Sequence, residues 1–381
     1  MVLTLDNDQI ERLLDMRVCM DALEETYRDL GRGAAISSPR IDLLTPQPYR
    51  DLRGQFFPGC HMLKTMSGAT PKYAAIRFLT DLLYWRSTDV GLRRERTPET
   101  RNEYSVTRGL ILLFSVATGE LLAVLAEGYI RNFRVGGAAG LAARLLARKD
   151  ASHVALLGTG FMARAHLEAI ALVRPITAVK VFSPDPEHRS RFALETSRTL
   201  GLEVEPVSRP EDAVKGSSIV ILATNALNPV IESSWIEKGM HITCVRHCEI
   251  GRESYAKCDT IVLNSKNNFN VLHYEARSQE SGQLPENVLL DYVKGYPPGE
   301  MTDIDWKKLP DLPDLLLGRH PGRNTDEEVT CFDNSVGFGV QFAAVAGRVY
   351  EIARAKGAGK EAPAEFFPGL MAESTKKIGG V

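Results

Sequence analysis

The stretch Val154-Ala155-Leu156-Leu157-Gly158-Thr159-Gly160-Phe161-Met162-Ala163 decides how this chain is read. An apolar strand runs into a Gly-x-Gly-x-x-Ala loop, and Phe161 opens a helical pattern, FMARAHLEAIALV. A second strand follows about 20 residues on, which is the context a dinucleotide loop requires. Gly158 allows the tight turn, and Gly160 lets the backbone approach a pyrophosphate. Ala163 permits close helix–strand packing. The positive end of the new helix faces the phosphates. Thr159, Phe161 and Met162 complete the expected phosphate-binding loop.

Downstream, AVKVFS (178–183), SSIVILATN (217–225), GMHITCVRH (239–247) and CDTIVLNS (258–265) read as buried strands between helical stretches. That alternation, over roughly 150–265, predicts a parallel sheet with helices on both faces. Upstream, apolar spacing predicts a helix over 7–33, ended by Gly31 and Gly33. Strands are expected within 73–84 and 109–125. The charged stretch 85–104 reads as a surface excursion. Helices are expected over 137–148 and 334–356, and residues 266–320 read as loop-rich.

The chain has 381 residues, 44% hydrophobic and 25% charged, with a formal net charge of −2. Its length suggests two domains. Its charge gives no case for nucleic acid or an anionic membrane as partner. No apolar run is long enough to span a bilayer, and the first residues lack a secretory pattern. A cytoplasmic protein with reduced thiols is expected, since the six cysteines are scattered without a CxxC pair. Cys244-Val-Arg-His-Cys248 has the wrong spacing for zinc, so no metal is expected.

The end of the second strand bears on which dinucleotide is bound. An acid there would bond the ribose 2′-hydroxyl; this chain has Ser183 and Pro184, with His188, Arg189 and Arg191 close behind. A hydroxyl among cations suits a 2′-phosphate, so NADP is preferred to NAD. Asp185 turned back to the ribose is the alternative, as is an exposed helix that merely carries Arg189 and Arg191. Ala223, Thr224, Asn225 and Val245, at the ends of two later strands, are expected beside the nicotinamide.

The stretch 130–148, Ile-Arg-Asn-Phe-Arg-Val-Gly-Gly-Ala-Ala-Gly-Leu-Ala-Ala-Arg-Leu-Leu-Ala-Arg, running into GTGFMARAHLEAI, resembles the ornithine cyclodeaminase/μ-crystallin family. So do Gly318-Arg-His-Pro-Gly-Arg323-Asn-Thr-Asp-Glu-Glu-Val-Thr330, Ala223-Thr224 with Pro229, and Lys72. The resemblance covers nearly the whole chain, with extra residues near 85–105 and 266–310. It implies an α/β fold. A Rossmann domain (135–324) is inserted between the halves of an α+β substrate-binding and dimerisation domain (1–134 and 325–381). It further implies a homodimer and an NAD(P)H-dependent oxidoreductase acting on a CH–NH or C=N bond of an amino- or imino-acid substrate. Ketimine reductases and amino-acid dehydrogenases are the models.

The family's cationic carboxylate site carries over onto Arg40, Lys72 and Arg134. A carboxylate needs cationic donors, and arginine offers a two-pronged fork. Surface residues are the plain alternative for Arg40 and Lys72, and a helix-start arginine for Arg134. Arg77, inside an apolar strand, needs a partner or a ligand and joins them as a candidate. Lys72, then His247, then Glu249 are the expected acid–base groups. Cys248 stands where cyclodeaminases place an aspartate, with Glu249 beside it. Phe342 replaces an acid, and Val135 replaces the threonine beside the substrate arginine. These departures weigh against an ornithine- or lysine-type cyclodeaminase using catalytic NAD. They leave a nucleotide-dependent small-molecule-binding protein, as in the crystallin branch, as another alternative.

Overall fold

The computed structural model describes residues 1–88, 91–97, 108–266, 270–274, 304–335 and 337–363. The rest of the two insertions near 85–105 and 266–310 lies outside the described residues. Two sheets organise the chain. Seven parallel strands run in the order Glu203–Pro206, Ala178–Phe182, His153–Leu157, Ile219–Leu222, His241–Cys244, Thr330–Asp333, Thr260–Leu263. The chain starts at His153–Leu157, winds outward one way, then returns to wind the other way. That doubly wound order puts the switch point between His153–Leu157 and Ile219–Leu222. Separate apolar clusters cover its two faces, so these strands read as continuous apolar runs.

The second sheet has ten strands. Its main path runs Asn270–Tyr274, Arg40–Pro46, Gly59–Ala69, Tyr73–Thr88, Arg108–Ser115, Leu121–Ala126, Val2–Leu5, Lys360–Ala362. Sheet membership corrects the expected boundaries. Thr330–Asp333, placed outside the nucleotide domain by a cut at 324, is a strand of the parallel sheet. Asn270–Tyr274, placed inside it, pairs with Arg40–Pro46. A further correction concerns 85–104. Thr88 and Gly91 close a hairpin in which Tyr73–Thr88 pairs with Gly91–Arg96, and Trp85 is buried.

Two helices occupy the span 7–33, Asn7–Leu13 and Met16–Arg32. The break comes at Asp15, whose carboxylate accepts the Val18 N–H at 2.8 Å and caps a new helix. Gly33, in the left-handed region at φ 75°, ends it. The helix Gly128–Leu146 begins nine residues before the 137 expected, so Arg134 lies inside it. Its small residues have a packing purpose: a Cβ on Gly136 would sit 2.4 Å from the Ala165 carbonyl oxygen. The helix can therefore lie directly on the glycine-loop helix Phe161–Ala171, while its other side joins the core of the ten-stranded sheet.

Candidate active site at the sheet junction

The glycine loop has the geometry its sequence calls for. Gly158 has φ 115°, and a Cβ there would lie 2.2 Å from the Ala223 carbonyl oxygen. Only glycine lets the chain turn this close to the neighbouring strand end. A Cβ on Gly160 would meet nothing within 4 Å, and Gly160 caps the Phe161–Ala171 helix without a side chain. Bare N–H groups at a helix start, beside open space at a switch point, fit the pyrophosphate of a dinucleotide. Thr159, Phe161 and Met162 lie on this loop. At the second strand's end, Arg189 Nη1 donates to the Ser183 carbonyl at 2.9 Å. Pro184 leads into Asp185, whose carboxylate accepts the Glu187 and His188 N–H groups at 2.9 and 3.0 Å, capping the helix Pro186–Leu200.

Glu249 ties down the other half of this edge. It is fully buried. Oε1 accepts from the Thr224 N–H and hydroxyl at 2.6 and 2.7 Å. Oε2 accepts from the N–H groups of Val245 and Arg246 at 3.1 and 3.0 Å. Burial pushes its pKa up to about 8 against the pull of these bonds. Both oxygens are committed to the loops that carry Ala223, Thr224, Asn225 and Val245. Glu249 therefore pins these loops to one another. His247 sits half-buried on the turn just before it.

The arginines are aligned by strand register. Ile41 pairs with Thr65, which sets Arg40 opposite Met66, and Met66 pairs with Arg77. Laterally paired residues share a face. Arg40 and Arg77 thus point to one side of the sheet, two strand spacings or roughly 10 Å apart. Asp42, two residues along from Arg40 and buried, takes Arg40 Nη2 at 2.9 Å and has Lys64 Nζ at 3.9 Å. Arg77 is held by the buried Glu127 through Nε at 3.0 Å and Nη2 at 2.9 Å. Arg131 reaches the same carboxylate at 3.5 Å.

Arg134 joins this group from the helix. Its Nη1 donates to Gln341 Oε1, and its buried Nε has no partner among the described residues. A Cβ on Gly337 would lie 1.7 Å from Nη1, so the turn there is shaped around the guanidinium. Burial, reinforced by the charge of Arg77, lowers its pKa to about 9. Both guanidiniums lie over the ring of Phe342, at 5.3 Å for Arg77 and 4.8 Å for Arg134. Phe342 is itself fully buried; it supports the arginines from behind.

Lys72 is not part of this cluster. It sits on the turn before Tyr73, 73% exposed at its side chain, with Nζ 3.8 Å from Glu351. Glu351 lies nine residues along the helix Gly339–Lys356 from Phe342, or about 14 Å. The turn explains the displacement. Thr70 and Tyr73 bond across it through backbone and hydroxyl, leaving Lys72 at the tip.

The two halves meet through Leu227, three residues past Thr224. It packs on Leu44, Cys60, Met62, Leu79, Leu83 and Trp85. Register puts that patch on the arginine side of the ten-stranded sheet. Gln341, Glu127, Arg131, Asp42 and Lys64 are site residues that sequence reasoning missed. Glu127 alone left a signal: an acid at the junction of an apolar strand and the Arg-Asn-Phe-Arg helix.

A doubly wound sheet with a glycine loop at its switch point, facing an arginine-lined second sheet, defines a two-domain nicotinamide-dinucleotide oxidoreductase. The model of the ornithine cyclodeaminase/mu-crystallin family matches residues 94–357. The chain belongs to that family. Alanine dehydrogenase of Archaeoglobus fulgidus is 28% identical over 360 residues, covering 94% of this chain and 97% of the relative. A Delta(1)-pyrroline-2-carboxylate reductase of Bacillus cereus is 30% identical over 257 residues, covering 66% and 73%. Among solved structures, Delta(1)-pyrroline-2-carboxylate reductase of Thermococcus litoralis, in complex with NADH and L-proline, superposes with a TM-score of 0.73 at 25% identity. It covers 95% of this chain and 100% of its own. The archaeal alanine dehydrogenase dimer with bound NAD shares the fold, at TM-score 0.70 and 24% identity. The chain is an NAD(P)-dependent enzyme of this family.

Proposed function

We propose that this enzyme interconverts a small cyclic imino acid and its amino acid by hydride transfer at the carbon–nitrogen bond. One observation carries the reading: Arg40, Arg77 and Arg134 share the side of the second sheet on which Leu227, from the cofactor edge, is packed. The buried Arg134 Nε supplies a donor for the substrate carboxylate. Asp42 and Glu127 hold the Arg40 and Arg77 forks in place, so the carboxylate meets donors already oriented. A bound nicotinamide supplies or accepts the hydride. Reduction of C=N also needs one proton. We assign it to His247, an expected acid–base residue that stands on the turn at the sheet's carboxyl edge. The relatives named as imine reductases and an alanine dehydrogenase support the reaction class.

NADP is the preferred cofactor in this reading. Asp185 spends its carboxylate on a helix cap, and Arg189 is held over Ser183. The far face of the ten-stranded sheet exposes Ile41 (37%), Leu43 (40%), Ile76 (43%) and Leu110 (39%). An apolar sheet face of this kind supports a second copy of the chain as its cover.

The test is to mix the enzyme with NADPH, then NADH, and a panel of cyclic imino acids and keto-acid/amine pairs, following nicotinamide absorbance. Light scattering on the same sample gives the mass. Oxidation of NADPH by one imine, at twice the chain mass, is expected. Ammonia release from ornithine or lysine without net absorbance change would replace the reading with cyclodeamination. Tight dinucleotide binding with no turnover of any kind would leave a binding protein. A single-chain mass would end the dimer reading.

A further inference from the structure

With His153–Leu157 as first strand, the parallel sheet reads third, second, first, fourth, fifth, seventh, sixth, so Thr330–Asp333, seventh in the chain, lies beside the fifth strand. Such a sheet has two mononucleotide-binding halves. The glycine loop and Ser183 belong to the half that starts the domain, so the fourth to seventh strands face the nicotinamide half. Asn334 follows the strand Thr330–Asp333 and is buried. Its N–H donates to the Cys244 carbonyl at 3.1 Å, which sets it beside the Val245 loop.

The orientation of its side-chain amide is determined by its neighbours. Nδ2 donates to the Val135 carbonyl at 2.9 Å and lies 3.4 Å from His166 Nε2. His166 Nδ1 is 2.7 Å from the Met162 carbonyl oxygen, which can only accept. Nδ1 therefore carries the proton, and Nε2 is an acceptor. Burial keeps this imidazole neutral, lowering its pKa to about 4. Both hydrogens of Nδ2 are thus used. Turning the amide over would set its oxygen against a carbonyl and a nitrogen lone pair. Oδ1 is held the other way, buried, with no donor among the described residues. A fixed buried acceptor without a donor is costly unless a ligand supplies one. Arg134, adjacent to Val135 in the chain, disfavours a cationic donor; a carboxamide brings N–H groups without charge.

We propose that Asn334 Oδ1 accepts a hydrogen bond from the carboxamide N–H of the bound nicotinamide. The inference rests on the dinucleotide reading. The probe is a pair of oxidised dinucleotides, the parent and its 3-acetylpyridine analogue, in which a methyl group replaces the carboxamide nitrogen. Calorimetry gives both dissociation constants for the full-length enzyme. The unaltered enzyme should bind the analogue about tenfold more weakly, the loss of one well-made hydrogen bond. Asn334→Ala should bind both within about twofold, near the affinity of the unaltered enzyme for the analogue. Asn334→Ser repeats the test if the alanine variant melts early. Equal binding of both dinucleotides by the unaltered enzyme would overturn the proposal. So would a tenfold preference that survives in the variants. Failure to bind either dinucleotide would instead overturn the reading on which it rests.

Discussion

The glycine loop and the arginine row meet across one junction but are built differently. The loop is local: ten consecutive residues carry the strand end, the turn and the helix start, and the φ of 115° at Gly158 by itself calls for glycine. The row is assembled from afar. Arg40, Arg77 and Arg134 come from two strands and a helix, and Phe342 and Gln341 arrive from a second helix more than 200 residues on from Arg134. Backbone amides do the binding in the first region, whereas buried side-chain charges, each needing a counter-group, do it in the second. The difference teaches where substitution acts. Changes at the row should alter substrate handling alone, and changes at the dinucleotide edge should alter the cofactor and its pH response.

The strongest test of that separation is Arg134→Ala. It removes a buried guanidinium donor and leaves Gln341 Oε1 with only the Phe338 N–H at 3.3 Å. Losing a charged hydrogen-bonding group from a carboxylate site should lower kcat/KM by about 10²- to 10³-fold. Dinucleotide affinity, read by calorimetry, should stay within about threefold. An equal loss in both would show that the two regions are one unit.

Glu249→Gln probes the other side with a smaller effect. The native carboxylate is pushed up to about 8 by burial, with Asp333 adding to the rise, against about 4.3 when unfolded. Between those values the folded chain binds more protons than the unfolded one. Stability from this group therefore falls as pH rises through that window, by at most ~1.4 kcal/mol per unit. Melting temperatures measured from pH 5 to 9 should decline less steeply in the glutamine variant. The variant should also weaken dinucleotide binding several-fold, because an amide cannot accept from Thr224, Val245 and Arg246 together. Parallel melting curves would remove Glu249 from the pH response.

The same contrast sets what was legible in the sequence. The parallel sheet and its glycine loop follow from patterns within a few dozen residues. The arginine row depends on register between strands, which no local pattern fixes: Arg40 meets Arg77 only because Met66 lies between them. The expected helix is shorter than Gly128–Leu146 because the charged start, Arg-Asn-Phe-Arg, is offset partly by a partner no local pattern shows: Arg131 pairs with Glu127 one turn back, but Arg134 needs Gln341. Asp15 hid a helix break inside an apolar periodicity, and a cap, not a breaker residue, made it. The hairpin within 85–104 was masked by charge, since Arg86 and Glu95 pair across it.

Lys72 gives the smallest and most discriminating prediction. Sequence resemblance placed it in the carboxylate site, and five residues separate it from Arg77. In an extended strand five residues span about 16 Å, enough to move a side chain from the site to the rim. The structure places them apart: Arg77 is buried against Glu127, and Lys72 stands in solvent near Glu351. An exposed pair of this kind contributes about 0–1 kcal/mol. Lys72→Ala should therefore leave kcat and KM within about twofold and shift the melting temperature by no more than about a degree. Arg77→Ala, measured alongside, should lose substrate while the dinucleotide still binds. If the lysine variant instead lost turnover with normal folding, the turn at Thr70 would have to rearrange on binding, and the row would be completed from the rim.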